Sequence, residues 1–237
     1  MIVKTQAIVI SSLKYGDTSR ILKCYTREEG IQSLIAKGVY ARRNRTNPML
    51  SPLNMVELIY DNKGKSTLKI MKECRMQVHY VSIDNNQYKT AIALFLSEIL
   101  NMVLREEEAN PDLYDFVSSS LSFFDRKEEA YSDFHLWFLL QLSRYLGFYP
   151  QIKPGAAYFD LINGVSAREI PTGVYAETER MKLLEILSEL NFFEQVTNRF
   201  NQSQRKMLLE LLLKYYEIHL YDFRWPKSLE VLNVVFE

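Results

Sequence analysis

Cations set among tyrosine rings stand out in the first third of the chain. The segment 36–48, AKGVYARRNRTNP, holds four basic residues around one tyrosine. Cations neutralise the phosphates of a nucleic acid and flat rings stack on unpaired bases, so this combination is typical of single-strand binding. We therefore predict nucleic-acid contacts from ten residues. They are Lys14, Arg20, Lys23, Lys37, Tyr40, Arg42, Arg43, Arg45, Lys63 and Lys65.

The distribution of charge along the chain supports this prediction. The net charge is zero, but residues 1–80 hold 14 Lys+Arg against 6 Asp+Glu, whereas residues 81–237 hold 15 against 23. A basic first part suggests an anionic partner. Tyr15, Tyr25 and Tyr60 offer further rings in the same part. The plainer alternative is that the tyrosines belong to a core and the lysines only aid solubility.

The first 80 residues have the pattern of five short strands. The predicted strands are 5–12, 20–26, 31–37, 53–60 and 66–72. No helix-length segment separates them, which favours a small antiparallel barrel or sandwich. Alternation places Ile21, Lys23 and Tyr25 on one face of the second strand, but it leaves open which face points outward.

From residue 82 onward the apolar spacing becomes that of helices. The predicted helices are 87–104, one starting at 110–111, 131–146, 178–190, 203–221 and 227–235. Gly147 is placed to end the third of these, and Ser203 to cap the fifth. Residues 148–176 are irregular and rich in Pro and Gly. We predict an α+β chain with domains 1–81 and 82–237, the second carrying an irregular insertion at about 148–176.

Several kinds of catalytic and metal site are not supported by the sequence. The motif GKST at 64–67 lacks the first glycine of a phosphate-binding loop and precedes a strand pattern. The three histidines share no metal-ligand spacing. The two cysteines, Cys24 and Cys74, form no CxxC pair, and we expect both to be buried thiols. No apolar run is long enough for a membrane span, and no signal peptide is recognisable.

The stretch 7–38, AIVISSLKYGDTSRILKCYTREEGIQSLIAKG, resembles the start of the RecO family of recombination mediators. The resemblance continues at GFYP, 147–150, and in LLKYYEIHLYDFRWPKSLEVL near the end, so it covers nearly the whole chain. The matching residues are Ala7-Ile8-Val9, Tyr15-Gly16-Asp17-Thr18-Ser19, Thr26-Arg27-Glu28, Gly30, Ala36-Lys37-Gly38, Tyr215, Tyr216, His219, Leu220, Ser228 and Leu229.

This resemblance implies an N-terminal OB-fold barrel followed by an all-α domain. It further implies a cytoplasmic bacterial protein, associated with the nucleoid during repair, that binds single- and double-stranded DNA and anneals complementary strands. With its partner RecR, such a protein helps load RecA onto DNA coated by single-strand-binding protein. It is not expected to be an enzyme.

Family members recognise the acidic tail of single-strand-binding protein, which ends in an aromatic residue. A groove for such a tail needs apolar walls and a cation at its rim. Spacing does not choose among the cations beside apolar helix faces. The candidates are Arg126, Arg144, Arg205 and Lys206.

One departure from the family concerns a metal. Many members carry a four-cysteine zinc module after the GFYP element, but residues 151–171, QIKPGAAYFDLINGVSAREIP, contain no cysteine. We therefore expect no structural zinc and no other cofactor, and a small hairpin around Asn163-Gly164 in its place. Two other functions stay open: an adaptor whose basic patch meets an acidic protein, and, less favoured, a nuclease.

Overall fold

The computed structural model describes residues 1–39, 48–62, 67–105 and 108–236. The five predicted strands are present and close into a barrel in the order β1-β2-β3-β5-β4. Among the described strand pairs of the barrel, β3 and β5 run parallel and the other four pairs are antiparallel. The prediction of an OB-fold barrel followed by helices is confirmed. The strands are β1 (Ile2–Tyr15), β2 (Ser19–Thr26), β3 (Gly30–Ala36), β4 (Met55–Asp61) and β5 (Leu68–Met76).

Alternation along the strands fills the barrel with aliphatic side chains. Val9, Leu22, Leu34 and Leu58 point inward and have no exposed surface. On β1 the pairing register with β2 shifts between Val9 and Ser11. Such a bulge bends a strand and moves the following side chains to the other face. Beyond it, β1 and β2 continue as a hairpin that pairs through Tyr15↔Ser19.

Two helices follow the barrel, α1 (Gln87–Val103) and α2 (Pro111–Arg126). With the barrel they make up one compact unit, Met1–Arg126. Part of the outer barrel face is buried in this unit: the row Ile8, Tyr25 and Ile31, aligned across β1, β2 and β3, is at most 8% exposed. The Tyr25 hydroxyl donates to the carbonyl of Asn110 at 3.1 Å, which ties this row to the start of α2.

A buried lysine and a buried carboxylate fasten the segment that leads into α1. The Asp125 carboxylate accepts hydrogen bonds from the backbone N–H groups of Val81, Ser82 and Ile83 at 2.8–2.9 Å. The Lys89 ammonium, 1% exposed, donates to the carbonyls of Phe124 and Asp125 at 2.8 and 2.9 Å. Burial alone would raise the pKa of Asp125, but these backbone hydrogen bonds outweigh it and hold that pKa below its usual value.

The second compact unit is Lys127–Glu237. Its helices are α3 (Phe134–Tyr145), α4 (Thr178–Ser188), α5 (Gln202–His219) and α6 (Leu229–Phe236), and its sheet has the strands β6 (Tyr158–Asp160), β7 (Val165–Ala167) and β8 (Tyr175–Ala176). The strand-to-helix change falls between Met76 and Gln87, around the predicted boundary at 81. As a domain boundary, 81 stays a prediction.

The hairpin predicted around Asn163-Gly164 is confirmed, since β6 and β7 pair across these residues. The Asp160 carboxylate accepts the backbone N–H groups of Ile162 and Asn163, and Gly164 adopts a φ of +66°. A Cβ at Gly164 would also collide with the hydroxyl of Tyr215, so glycine is required there on two grounds.

Of the two helix-end predictions, one is confirmed and one is wrong. Gly147 follows α3 with a φ of +85°, as a helix-ending glycine should. Ser203, however, lies inside α5, whose N-cap is Asn201. Asn201 and Gln204 satisfy each other's backbone N–H groups in a capping box, an arrangement that leaves Ser203 in the first turn. None of the described helices is long and apolar enough to cross a membrane.

Candidate nucleic-acid interface

An apolar row lies uncovered on the outer face of the barrel. Leu13 pairs with Ile21, Ile21 with Ile35, and Ile35 with Ile70, so four aliphatic side chains align across β1, β2, β3 and β5. Leu13 is 67% exposed and Ile70 is 40% exposed. At the usual spacing of strands the row is about 14 Å long. Because the solvated side of an antiparallel sheet is normally polar, this row is a candidate contact surface.

Cations and one exposed ring adjoin this row. Lys37 directly follows β3, and Lys72 lies two residues past Ile70 on β5; both are exposed. Tyr15, two residues beyond Leu13, is 53% exposed. This end of the barrel thus combines apolar, aromatic and cationic groups, the combination that single strands require.

The opposite face of the β1–β2 hairpin is basic. Lys14 pairs with Arg20 across the two strands, and Lys14 is exposed. The Arg20 guanidinium donates to the carbonyl of Ser12 at 3.2 Å, which orients it along the hairpin. The hairpin therefore has an apolar side and a cationic side.

Lys23, another predicted contact, is partly engaged within the protein. Its ammonium donates to the carbonyl of Asn101 near the end of α1 at 2.7 Å. Burial and the nearby Arg105 charge both lower the pKa of Lys23. Six of the ten predicted contacts lie outside the described residues and stay predictions. They are Tyr40, Arg42, Arg43, Arg45, Lys63 and Lys65.

Two tyrosines proposed as stacking rings are core residues instead. Tyr25 is 3% exposed and Tyr60 has no exposed surface. The Tyr60 hydroxyl donates to the Glu29 carboxylate, whose oxygen is also 3.6 Å from the Lys69 ammonium. The prediction that these two rings stack on bases is wrong, because both rings are buried and both hydroxyl groups donate hydrogen bonds within the protein.

A groove in the second unit brings two of the four tail-binding candidates together. Arg205 and Lys206 line it at the start of α5, and its cavity volume is about 90 Å³. The Arg205 guanidinium is 3.7 Å from the fully buried Asp133 carboxylate and donates to the carbonyl of Phe200 at 2.5 Å. The other lining residues are His135, Gln202, Leu209, Leu232, Asn233 and Phe236.

The other two candidates have different surroundings. The Arg144 guanidinium lies 4.0 Å from the centre of the Tyr149 ring. Arg126 belongs to the first unit, where its Nε donates to the carbonyl of Ser122 at the end of α2. Of the four candidates, Arg205 and Lys206 are the pair that lines a groove together with the apolar residues Leu209 and Leu232.

The residues of the hairpin region do not fit a thiolate zinc site. Residues 148–176 contain no cysteine. His219, the histidine in contact with this region, places its Nε2 atom 2.8 Å from the carbonyl of Leu161, and its ring stacks on that of Phe148. No group of three or more His, Cys, Asp or Glu suited to a metal occurs among the residues that the structure describes. Cys24 is buried as expected, whereas Cys74 is only half-buried.

Comparison with known proteins gives the family. The family model described as "Recombination protein O N terminal" matches residues 1–78, and the one described as "Recombination protein O C terminal" matches residues 86–230. The chain belongs to the RecO family. The RecO resemblance seen in the sequence is thus confirmed over nearly its whole length.

Several bacterial RecO proteins are similar to this chain from end to end. The DNA repair protein RecO of Christiangramia forsetii is 34% identical, with all of both chains covered. Those of Flavobacterium psychrophilum and Bacteroides fragilis are 35% and 33% identical, again over the full length of each.

Sequence reasoning missed the aliphatic row and the contact of Phe236 with the groove. Period-2 alternation placed Ile21 on one face of the second strand with Lys23 and Tyr25. It did not give the cross-strand register that aligns Ile21 with Leu13 and Ile70. The signal available in the sequence was that Leu13 and Tyr15 lie two residues apart, on either side of Lys14.

Acid should destabilise the second unit through His135. Burial, together with the Arg205 charge, lowers the pKa of His135 to about 3, whereas an unfolded histidine titrates near 6.5. Between these values the unfolded chain binds a proton that the folded chain excludes. Stability is therefore lost as the pH falls below about 6.5, by up to about 1.4 kcal/mol per unit.

Urea denaturation at pH 7, 6 and 5 measures this effect. The free energy of unfolding should depend less steeply on pH in a His135→Phe variant than in the wild type. Equal pH dependence in the two proteins would show that His135 does not stay neutral in the folded state.

Proposed function

We propose that this chain is a DNA repair protein that binds single-stranded DNA on the open outer face of its barrel. The observation that carries the proposal is the uncovered row of Leu13, Ile21, Ile35 and Ile70 beside exposed lysines. Membership of the RecO family, whose similar members are named DNA repair proteins, supports it.

The apolar side chains and the cationic side chains contact different parts of the DNA in this proposal. Unpaired bases present apolar faces that gain from leaving water, so they lie along the aliphatic row and against Tyr15. Lys14, Arg20, Lys37 and the basic segment 40–47 neutralise phosphates. In a duplex the base faces are stacked on one another, so duplex DNA uses the cations alone.

Strand annealing follows from the same surface. Two complementary strands repel each other, and a cationic surface without base-specific readout screens that repulsion while leaving base edges free to pair. We further propose, from the family resemblance, that the chain acts with RecR to help load RecA onto DNA coated by single-strand-binding protein. No covalent chemistry is assigned to it, and its place is the bacterial cytoplasm and nucleoid.

The acidic tail of single-strand-binding protein is proposed to dock in the groove beside α5. Arg205 and Lys206 supply positive charge, and Leu209 and Leu232 supply apolar walls. An acidic peptide with an aromatic residue needs both. The alternative function, an adaptor that binds acidic protein but no DNA, is excluded if arbitrary oligonucleotides bind without any protein partner.

The substitution Leu13→Ser tests the apolar contribution to DNA binding separately from the ionic one. We expect Leu13→Ser to weaken binding of a single-stranded oligonucleotide about tenfold, because burial of the apolar side chain against a base, about 1.4 kcal/mol, is lost. Binding to a duplex of the same length should be unchanged. Fluorescence anisotropy with labelled oligonucleotides at fixed salt measures both.

Ile2→Ser is the matched control, since Ile2 is also 67% exposed but lies at the other end of β1. The control should bind like the wild type. If Leu13→Ser does too, or if it weakens duplex binding equally, the apolar row is not where bases lie.

The absence of zinc is also part of the proposal, because the hairpin region lacks thiolate ligands. Protein purified without chelator should contain far less than one zinc per chain by elemental analysis. A stoichiometric content that survives dialysis would contradict this.

A further inference from the structure

The groove beside α5 already holds an aromatic ring from this chain. The Phe236 ring, at the end of α6, lies 5.6 Å from the Arg205 guanidinium and 6.3 Å from the His135 ring. A guanidinium near the face of an aromatic ring is attracted to it. The groove therefore already holds a phenyl ring beside a cation, and we infer that it suits a ligand with an aromatic side chain.

With Phe236 in place, little room is left for a second ring. The remaining cavity has a volume of about 90 Å³, whereas an apolar cavity that binds benzene has a volume of about 150 Å³. The remaining volume is less than a phenyl group with its neighbouring backbone requires. An incoming aromatic side chain can therefore reach Arg205 only if Phe236 leaves.

The attachment of α6 makes such a departure feasible. Leu232 is 2% exposed and anchors the helix, whereas Val231 and Val234 are 44% and 69% exposed. Phe236 is the last residue of α6, so its ring can swing out when the final turn unwinds. Ends of helices are among the least stable parts of a fold.

Arg205 itself cannot move as easily. It is 17% exposed and pairs with the fully buried Asp133 carboxylate, which also accepts the backbone N–H of Arg199. Leaving Asp133 without its cation would be costly. The guanidinium is therefore a fixed element, and the ring at the end of α6 is the exchangeable one.

We propose that Phe236 is a built-in competitor that occupies the tail-binding position until an acidic peptide with an aromatic side chain displaces it. This inference rests on the proposed tail groove and adds its regulation. The observed affinity for the peptide equals the affinity of the open groove multiplied by the fraction of molecules in which Phe236 has left it. Docking of the peptide is coupled to release of the last turn of α6.

Isothermal titration with a synthetic peptide of the tail of single-strand-binding protein tests the competition. If Phe236 fills the groove in about nine molecules of ten, Phe236→Ala should bind the peptide about tenfold more tightly than the wild type. Val234→Ala, on the exposed side of the same helix, is the matched control and should bind like the wild type. Lys206→Glu, which reverses an exposed charge at the groove, should bind several-fold more weakly.

The Phe236→Trp variant reports the displacement directly. In Phe236→Trp the emission should shift to the red when peptide is added, because the ring passes into water. The wild type, with Trp137 and Trp225 only, should show a smaller change.

The outcomes separate the two ideas. Tighter binding by Phe236→Ala together with the red shift supports the competitor. Equal or weaker binding by Phe236→Ala, with Lys206→Glu still impaired, overturns the competitor but leaves the tail groove standing. Equal binding by all four proteins, or binding by none, removes the tail groove and the competitor together.

Discussion

Replacing Lys89 with methionine is expected to lower the free energy of unfolding by about 3–5 kcal/mol. The Lys89 ammonium is buried and donates to the carbonyls of Phe124 and Asp125 and to the hydroxyl of Ser82. Methionine fills a similar space but donates nothing. The buried carbonyls at the end of α2 then lose a partner that water cannot replace.

Urea denaturation, followed by circular dichroism, gives this quantity. Lys182→Met on α4 is the matched control, since Lys182 is exposed and its loss should change stability by less than about 0.5 kcal/mol. A similarly small effect for Lys89→Met would mean that the ammonium is not held between α2 and the segment leading into α1.

The second large expected effect is a loss of affinity for single-stranded DNA. We expect the double variant Lys14→Ala/Lys37→Ala to bind single-stranded DNA about 25-fold more weakly at 0.1 M salt. Each phosphate contact adds about 0.7 to the slope of log affinity against log salt for single strands. Removing two contacts should therefore flatten the slope by about 1.4 and remove about 1.4 logarithmic units of affinity at 0.1 M.

Anisotropy titrations between 50 and 500 mM salt give both the affinity and the slope. Lys4→Ala/Lys182→Ala removes the same charge elsewhere: Lys4 pairs with Glu57 near the start of β1, and Lys182 lies on α4. This control should keep the wild-type slope. A double variant at 14 and 37 with an unchanged slope would show that these lysines contact no phosphates.

The elements of the fold were predictable because they depend on local patterns. Period-2 runs gave the five strands of the barrel, and the spacing of apolar residues gave the helices to within a few residues. The N-cap of α5 was misplaced at Ser203 because serine and asparagine are both favoured caps. The capping box between Asn201 and Gln204 decides between them, and it can be read from the sequence.

The candidate site was less predictable because it depends on contacts between distant segments. All three tyrosines Tyr15, Tyr25 and Tyr60 lie in the basic first part of the sequence, which makes each a candidate for stacking on bases. In the structure Tyr25 and Tyr60 are buried, whereas Tyr15 is exposed. Tyr60 points into the barrel with Val56 and Leu58, whereas Tyr25 lies on the outer face and is covered near the start of α2. Alternation along one strand shows neither which face points inward nor whether a helix covers the other face. The pairing of Arg205 with Asp133, 72 positions earlier in the chain, is hidden for the same reason.

We propose above all that single-stranded DNA lies on the outer barrel face beside Leu13. The most direct test is photocrosslinking from a benzoylphenylalanine placed at position 13, with the same group at position 2 as the control. A bound single-stranded oligonucleotide should crosslink efficiently from position 13 and only weakly from position 2. Equal crosslinking from both positions, or none from position 13 while anisotropy shows binding, would contradict this proposal.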